Sequence, residues 1–256
     1  MIALCALAAA LRIVSIIPSL TEDLFALGAG ASVVAVSEFS DYPAAAKKLP
    51  RVATFSTLDA ERIVELHPDL VVGIRAQAPI VGPLARAHLR VELFDDDTFA
   101  DIFRTLRRLG ALVGRAPQAA ALERRLRDET ARLRRDVDPK RKPSVFVVLG
   151  VAPIFTVGRR SYIATLIELA GGRNAARIDA AYDRYTAEAL LAAQPDLIVA
   201  DPEAGLRAVL DQEPWRSLSA VRRRHVADIE NPGVLLRPGP RYNEGLRWLI
   251  REFRLL

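Results

Sequence analysis

Apolar positions follow two rhythms along this chain, short β-branched runs and longer stretches at helical spacing, and the two alternate. The first run is Ile13-Val14-Ser15-Ile16-Ile17, entered through Arg12 and followed by Pro18 and Ser19-Leu20-Thr21-Glu22. That order predicts strand, turn and helix. Ser19 with Glu22 three residues on reads as a capping box, Leu24, Phe25 and Leu27 continue an apolar face, and Gly28 ends it. A second strand is predicted over 33–36. From Asp59 the chain reads as a helix closed before Pro68, with Leu70-Val71-Val72 as a buried strand. Strands that are apolar throughout and alternate with helices belong in a parallel sheet covered on both faces.

Between Pro117 and Asp138 the pattern changes to one long, charged helix with no internal glycine or proline. It stops at Pro139-Lys140-Arg141-Lys142-Pro143, and a new buried strand is predicted over 145–150. Around this helix the sequence repeats. Glu61, Pro68 and Leu70-Val71-Val72 are echoed by Glu188, Pro195 and Leu197-Ile198-Val199; Glu61 and Glu188 stand 127 positions apart, as do Pro68 and Pro195. Each glutamate follows a good N-cap by two residues, Asp59 or Thr186. Leu24 to Gly28 is loosely matched by Ile167 to Gly171. A period this long means a duplicated lobe and not a solenoid. The fold class expected is α/β, two lobes with parallel sheets joined by one long helix: residues 12–116, the helix 117–139, and residues 140–256.

Composition adds constraints. With 51% hydrophobic and 26% charged residues, the chain is an ordinary globular protein. The net charge of +5 is spread in mixed blocks, and 32 of the 36 basic residues are arginine, so no clustered basic face argues for nucleic acid. One cysteine, Cys5, excludes an intramolecular disulfide and a cysteine-based zinc site, and His67, His88 and His225 show no ligand spacing, so no metal site is expected. Residues 1–11 are apolar and alanine-rich, too short to span a bilayer; they read either as a signal segment lacking its positive start or as a structural element. No Walker loop, G-x-S-x-G, H-E-x-x-H or helix-opening G-x-G-x-x-G is present, and no nucleophile has an obvious base, so no catalytic residue is expected. The Asp95-Asp96-Asp97 run reads as a solvated loop.

Three groups of residues remain. A carboxylate in a first helical turn is stabilised by the macrodipole by about 0.3–1 kcal/mol, which alone accounts for Glu61 and Glu188. The alternative is a pair of equivalent docking points, one per lobe, for a partner presenting arginines. Val36-Ser37-Glu38-Phe39-Ser40-Asp41-Tyr42-Pro43 follows a strand, where open α/β sheets bind ligands. Tyr42, Phe55 and Tyr182 offer flat surfaces to a large planar ligand, or are packing residues. Pro153-Ile154-Phe155-Thr156-Val157-Gly158 follows the first strand of the second lobe and reads in the same way. Arg237-Pro238-Gly239-Pro240-Arg241 is a stiff turn that either fixes Arg237 at a cleft or leads into a helix.

These segments resemble the helical-backbone (class III) solute-binding proteins of ABC importers, in particular the cobalamin-binding branch of that family. The resemblance is carried by Pro18-Ser19-Leu20-Thr21-Glu22, the 37–43 segment and the two Glu-x6-Pro-Asp-Leu segments. Phe155-Thr156-Val157-Gly158, Ala170-Gly171-Gly172-Arg173-Asn174, Trp215 to Val221 and Arg237 to Arg241 complete it, in family order, from about residue 12 to the C-terminus. It implies two Rossmann-like lobes bridged by a rigid helix, a periplasmic monomer without a cofactor of its own, and delivery of cobalamin as ligand to permease and ATPase subunits. By family position, Tyr42, Phe55, Arg75, Tyr182 and Arg237 touch ligand, and Glu61 and Glu188 dock arginines of the two permease subunits. Ile74, Phe55 and Tyr182 stand where cobalamin binders have tryptophan, and Gly233 where an acid is expected. Those departures leave haem, with Tyr42 as axial ligand, and a ferric siderophore as alternatives. The rivals from other classes are a cytosolic α/β enzyme or cobamide-processing protein and a non-transport sensor with the same lobes.

Overall fold

A computed structural model describes residues 11–256; Cys5 and all of the 1–11 segment except Leu11 lie outside the described residues. The chain forms two compact units. The first holds the described residues up to Asp95 with Thr105–Leu122, and the second holds Asp96–Arg104 with Glu123–Leu256.

In the first unit the elements are β1 (Ile13–Ser15), α1 (Pro18–Ala26), β2 (Val33–Ser37), β3 (Arg51–Ala53), α2 (Ala60–Glu65), β4 (Leu70–Ile74), α3 (Gly82–Arg86) and β5 (Val91–Phe94). Five parallel strands lie in the order β3-β2-β1-β4-β5, as the continuous apolar runs require. Val14, Ile16, Ala35, Ile63, Val71 and Leu84 form the core between sheet and helices. Helices α4 (Phe99–Leu112) and α5 (Ala116–Leu133) contribute residues to both units. The helix expected over 117–138 is α5, with a single tighter turn at Arg134–Asp136 beyond it.

The second unit contains β6 (Ser144–Val148), β7 (Gly150–Val151), β8 (Ile154–Val157), α6 (Tyr162–Leu169), β9 (Arg173–Asn174), β10 (Tyr182–Arg184), α7 (Ala187–Ala193) and β11 (Leu197–Ala200). It continues through α8 (Ser219–Arg222), β12 (Val226–Asp228), α9 (Pro232–Leu235) and α10 (Tyr242–Arg254). A parallel sheet runs β12-β11-β6-β9, and a small antiparallel sheet runs β10-β8-β7. Phe146, Leu190, Ile198, Leu206, Trp215 and Leu218 are among its core residues.

The duplication extends into backbone detail. Asp69 donates its N–H to the Arg12 carbonyl (2.9 Å) while its carboxylate accepts the Arg12 N–H (2.7 Å); Asp196 does the same with Ser144 (2.9 and 2.8 Å). Each Pro-Asp-Leu segment is thereby locked to the start of the strand beside it, β1 or β6. Before each proline stands a left-handed residue that is not glycine, His67 (φ 45°) or Gln194 (φ 39°), again 127 positions apart. Gly28 and Gly171 (φ 75° and 89°) end α1 and α6 alike. One expectation needs correction. Ser19 is no N-cap: α1 begins at Pro18, whose fixed φ suits the first helical position, and Ile17 precedes it with no side-chain cap. Ser19 and Glu22 are buried, as is Asp23, whose carboxyl is pushed well up by burial and then by Glu22 beside it.

Candidate functional site

Because the strands of the first sheet are parallel, everything that follows a strand emerges at one edge, the carboxyl edge where open α/β sheets take ligands. Pro18 follows β1, the 38–43 segment follows β2, Phe55 follows β3, Arg75 follows β4 and Asp95 follows β5. Three of the few exposed large apolar side chains among the described residues stand there: Phe39 (60% exposed), Tyr42 (46%) and Phe55 (57%). Leaving aromatic rings in water forgoes roughly 1.5–3 kcal/mol of burial for each, so this edge is shaped for something other than folding.

Buried hydrogen bonds hold those rings in place. Under the 38–43 loop the hydroxyls of Ser15, Thr21, Ser40 and Ser37 form a chain, with Thr21 Oγ1 2.9 Å from Ser15 Oγ and 3.0 Å from Ser40 Oγ, and Ser40 Oγ 2.8 Å from Ser37 Oγ. Arg51 Nη1 donates to the carbonyls of Ser37 and Ser40, both at 2.8 Å, closing the loop from the side. Phe55 sits in a tight turn in which Thr54 Oγ1 accepts the N–H groups of Ser56 (3.2 Å) and Thr57 (3.0 Å). Gln77, almost fully buried, donates through Nε2 to the Ile16 carbonyl (2.9 Å) and accepts the Ile74 N–H at Oε1 (3.2 Å), joining the ends of β1 and β4. Gly73 leaves room for it: a Cβ there would lie 2.9 Å from Gln77 Oε1 and 2.8 Å from Ile16. Gln77 and the hydroxyl chain escaped the sequence reading; a buried amide carries no motif, although Ser37 and Ser40 lie within a segment already singled out, as does Phe39.

Arg75 is exposed and pairs with Asp95, Nε to Oδ1 at 2.6 Å, and that hydrogen bond holds its guanidinium above its ordinary value. The Asp95-Asp96-Asp97 run is therefore more than a solvated loop. In the second unit, Tyr182 is half-buried on β10, opposite Val157 of β8, and burial followed by the charges of Asp96 and Asp97 pushes its phenol well up. Tyr182 thus stays a neutral hydrogen-bond donor at neutral pH. Beside it, Gly158 admits the 178–181 segment, since a Cβ would lie 2.2 Å from the Ala180 carbonyl oxygen. Arg159 and Arg160 clasp Asp179 there, and their hydrogen bonds bring its carboxyl down to about 2. Phe155 of β8 is also exposed.

Arg237 is half-buried in the turn between α9 and α10, and Arg241 is the N-cap of α10. Both guanidinium groups approach Gly233: a Cβ there would lie 3.3 Å from Arg237 Nη1 and 3.2 Å from Arg241 Nη2. Glycine thus stands where a carboxylate would meet two cations. Among the sequence candidates, Tyr42, Phe55 and Arg75 share the carboxyl edge of the first unit, while Tyr182 and Arg237 belong to the second.

Glu61 and Glu188 occupy equivalent positions. Each is exposed and second in its helix; Asp59 Oδ1 caps α2 through the Arg62 N–H (3.0 Å), and Thr186 Oγ1 caps α7 through the Ala189 N–H (3.1 Å). Both helices run back from the carboxyl edge, so both glutamates stand at that edge of their own unit. Among the described residues no group of three or more His, Cys, Asp or Glu could hold a metal ion, and no helix is long and apolar enough to cross a membrane.

Known proteins share this fold. The family model described as "Periplasmic binding protein" matches residues 13–232. A vitamin B12-binding protein of Salmonella typhimurium is 35% identical over 213 residues, 82% of this chain and 79% of that protein. Among solved structures, the periplasmic heme-binding protein RhuT of Roseiflexus sp. RS-1 in apo form superposes with a TM-score of 0.83 at 27% identity, covering 95% of this chain and 98% of its own. The periplasmic vitamin B12 binding protein BtuF of Vibrio cholerae gives a TM-score of 0.77, also at 27% identity, over 95% and 96% of the two chains.

Proposed function

The chain belongs to the periplasmic binding protein family, whose members carry ligands to ABC importers and are not enzymes, and from that premise we propose that its own ligand is a corrinoid of the cobalamin type. The observation that carries this reading is the carboxyl edge of the first unit, where Phe39, Tyr42 and Phe55 stand exposed on a hydrogen-bonded base beside the Arg75–Asp95 pair. Rings offer area to a macrocycle, and the Arg75–Asp95 pair offers donors and acceptors to its carboxamides. The ligand-binding set is Tyr42, Phe55, Arg75, Tyr182 and Arg237, to which Phe39 is added. The protein works as a periplasmic monomer, takes no cofactor, and hands its ligand to the permease subunits while the ATPase drives transport. Glu61 and Glu188 dock arginines on the permease.

Calorimetric titration of cyanocobalamin into ligand-free protein tests the ligand. The expected outcome is saturable heat at micromolar concentration or below, weakened about tenfold by Phe55→Ala with folding stability unchanged within about 0.5 kcal/mol. Absence of heat at high micromolar cobalamin would sink the corrinoid reading. Haem is the second reading, favoured by the likeness to the heme-binding RhuT and by the exposed Tyr42 phenol. A haem absorption band lost in Tyr42→Phe would establish it; a ferric siderophore as ligand would leave both titrations flat. For docking, Glu61→Arg combined with Glu188→Arg should abolish uptake and spare ligand affinity, and unchanged uptake would refute the two-point contact.

A further inference from the structure

The opposite edge of the second sheet carries a different chemistry. β6, β9, β11 and β12 are parallel, so their first residues and the loops that deliver them share one edge. The loop before β6 brings Lys140, Arg141 and Lys142, β9 opens with Arg173, and the turn before β12 brings Arg222, Arg223 and Arg224. Arg254, at the end of α10, reaches the Asp136 carbonyl of the same region (3.0 Å). All eight cationic residues are exposed. The carboxylates among them are Asp136, Asp138 and Asp196, with Glu168 near the end of α6. Asp196 is already committed: burial pushes its carboxyl up, and the Ser144 hydroxyl and N–H, with Arg173 and Arg223, outweigh that and bring it down. A chain whose basic residues look scattered in sequence thus has a basic edge in the fold. A cavity of about 310 Å³ opens in it, lined among others by Arg141, Lys142, Asp196, Arg223, His225 and Phe253.

Folding energetics explain only part of this. Arg222 and Arg254 end α8 and α10, where the helix dipole favours a cation. Lys140, Arg141 and Lys142 lie on no helix and form no ion pair among the described residues; the Asp138 carboxylate accepts the Lys140 N–H (2.9 Å), and the repulsion of three adjacent like charges is only partly offset by it and by Asp136. At the end of α10, between Arg254, which reaches the Asp136 carbonyl, and Leu256, which lines the same cavity as Arg141 and Lys142, Leu255 is 73% exposed. Cations beside an exposed apolar side chain match the interface of an anionic bilayer, where phosphate attracts the charges and the acyl boundary takes the leucine. A nucleic acid or a free phosphate would use the charges and leave the leucine in water.

We propose that this basic edge, with Leu255, is a contact surface for anionic phospholipid bilayers. It lies opposite the carboxyl edge of the same sheet, where α7 begins and Glu188 stands, so membrane contact and permease docking use separate surfaces. The inference does not depend on which ligand the protein carries.

The test is co-sedimentation of the full chain with vesicles of phosphatidylcholine alone or mixed with phosphatidylglycerol. Binding is expected only to the anionic vesicles and should fall steeply as salt is raised toward about 0.5 M. Each Lys or Arg near such a surface contributes about a fivefold factor, so Lys140→Gln with Lys142→Gln should weaken binding about 25-fold. Leu255→Ser should weaken it further without changing the net charge. Arg124→Gln with Arg125→Gln, an equal charge change on α5, is the control and should cost less than about threefold. No binding at low salt, an equal loss in the control, or competition by inorganic phosphate with no effect of Leu255→Ser would each overturn the proposal. Because the glutamine substitutions lie at exposed positions, Lys140 and Lys142 in an irregular loop and Arg124 and Arg125 on α5, unaltered thermal melting is expected and keeps every outcome readable.

Discussion

The two units share a backbone plan and differ at their edges. Helix, left-handed residue, proline, aspartate and strand recur with one spacing, down to the reciprocal hydrogen bonds of Asp69 with Arg12 and Asp196 with Ser144. What the duplication preserves is therefore the placement of Glu61 and Glu188. The carboxyl edges have diverged: the first is built on the Ser15–Thr21–Ser40–Ser37 hydroxyls and Gln77, while the second has gained the antiparallel sheet of β7, β8 and β10. Equivalent frames with unequal edges are what the proposed function asks for: one docking glutamate in each unit, and different side chains in each for the ligand.

The comparison breaks most severely at Gln77. Gln77→Leu keeps the volume but leaves the buried Ile16 carbonyl and Ile74 N–H without partners, at roughly 1–3 kcal/mol each, so a loss of about 2–6 kcal/mol is expected in urea unfolding. Ligand affinity should fall with it, because Gln77 Nε2 also reaches the Thr54 carbonyl (3.4 Å) at the start of the 54–57 turn that carries Phe55. Changes on the 178–181 segment of the second unit should not have this double effect.

The repeated aspartates sharpen the comparison at a smaller scale. Asp196→Ala strips the acceptor from the Ser144 N–H and hydroxyl (2.8 and 2.6 Å), and Ser144 is fully buried, so about 2 kcal/mol is expected. Asp69→Ala releases only an N–H of the exposed Arg12, which water can satisfy, for about 0.5–1 kcal/mol. The difference has a pH signature. Since the Asp196 carboxyl is lowered in the folded state, its contribution is fully present above the unfolded value of about 3.9 and is lost as pH falls through the lower folded value. The gap between wild type and Asp196→Ala should therefore be constant from about pH 7 to about 5 and close below about 4. A gap that widened with acid would show that the aspartate is not held ionised.

The alternation of elements, the duplication and the equivalence of the two glutamates were all legible in the sequence, because each depends on local periodicity or on a motif copied whole. Three features were not. The start of α1 was misplaced because Ser19 and Glu22 mimic a cap, while Pro18 already supplies the first helical position and the acids turn inward. Gln77 was invisible because its partners are 61 residues away at Ile16 and three away at Ile74, a combination that no spacing rule anticipates. The basic edge was hidden because residues 140–142, 173 and 222–224 meet only when four strands align their starting ends. Local chemistry is read along the chain; chemistry assembled by a sheet edge needs the strand order.

The smallest expected difference lies at the residues before the two prolines. A left-handed non-glycine residue is strained, and one directly before proline more so, because the proline ring favours an extended predecessor. Replacing His67 by glycine relieves that strain at the cost of extra freedom in the unfolded chain, for a net gain of about 0.5 kcal/mol; the exposed contact of its Nδ1 with the Glu65 carbonyl (2.8 Å) offsets little. Gln194 also has positive φ but makes a further contact, since its Oε1 accepts the Ser219 N–H at the start of α8 (2.9 Å). Gln194→Gly should therefore gain the same relief and lose about 0.5–1.5 kcal/mol of hydrogen bonding, leaving the second unit no more stable than before. Thermal melting of the two variants side by side measures the difference. Equal stabilisation by both would mean that the amide of Gln194 contributes nothing, and that the two corners are alike in energy as well as in backbone.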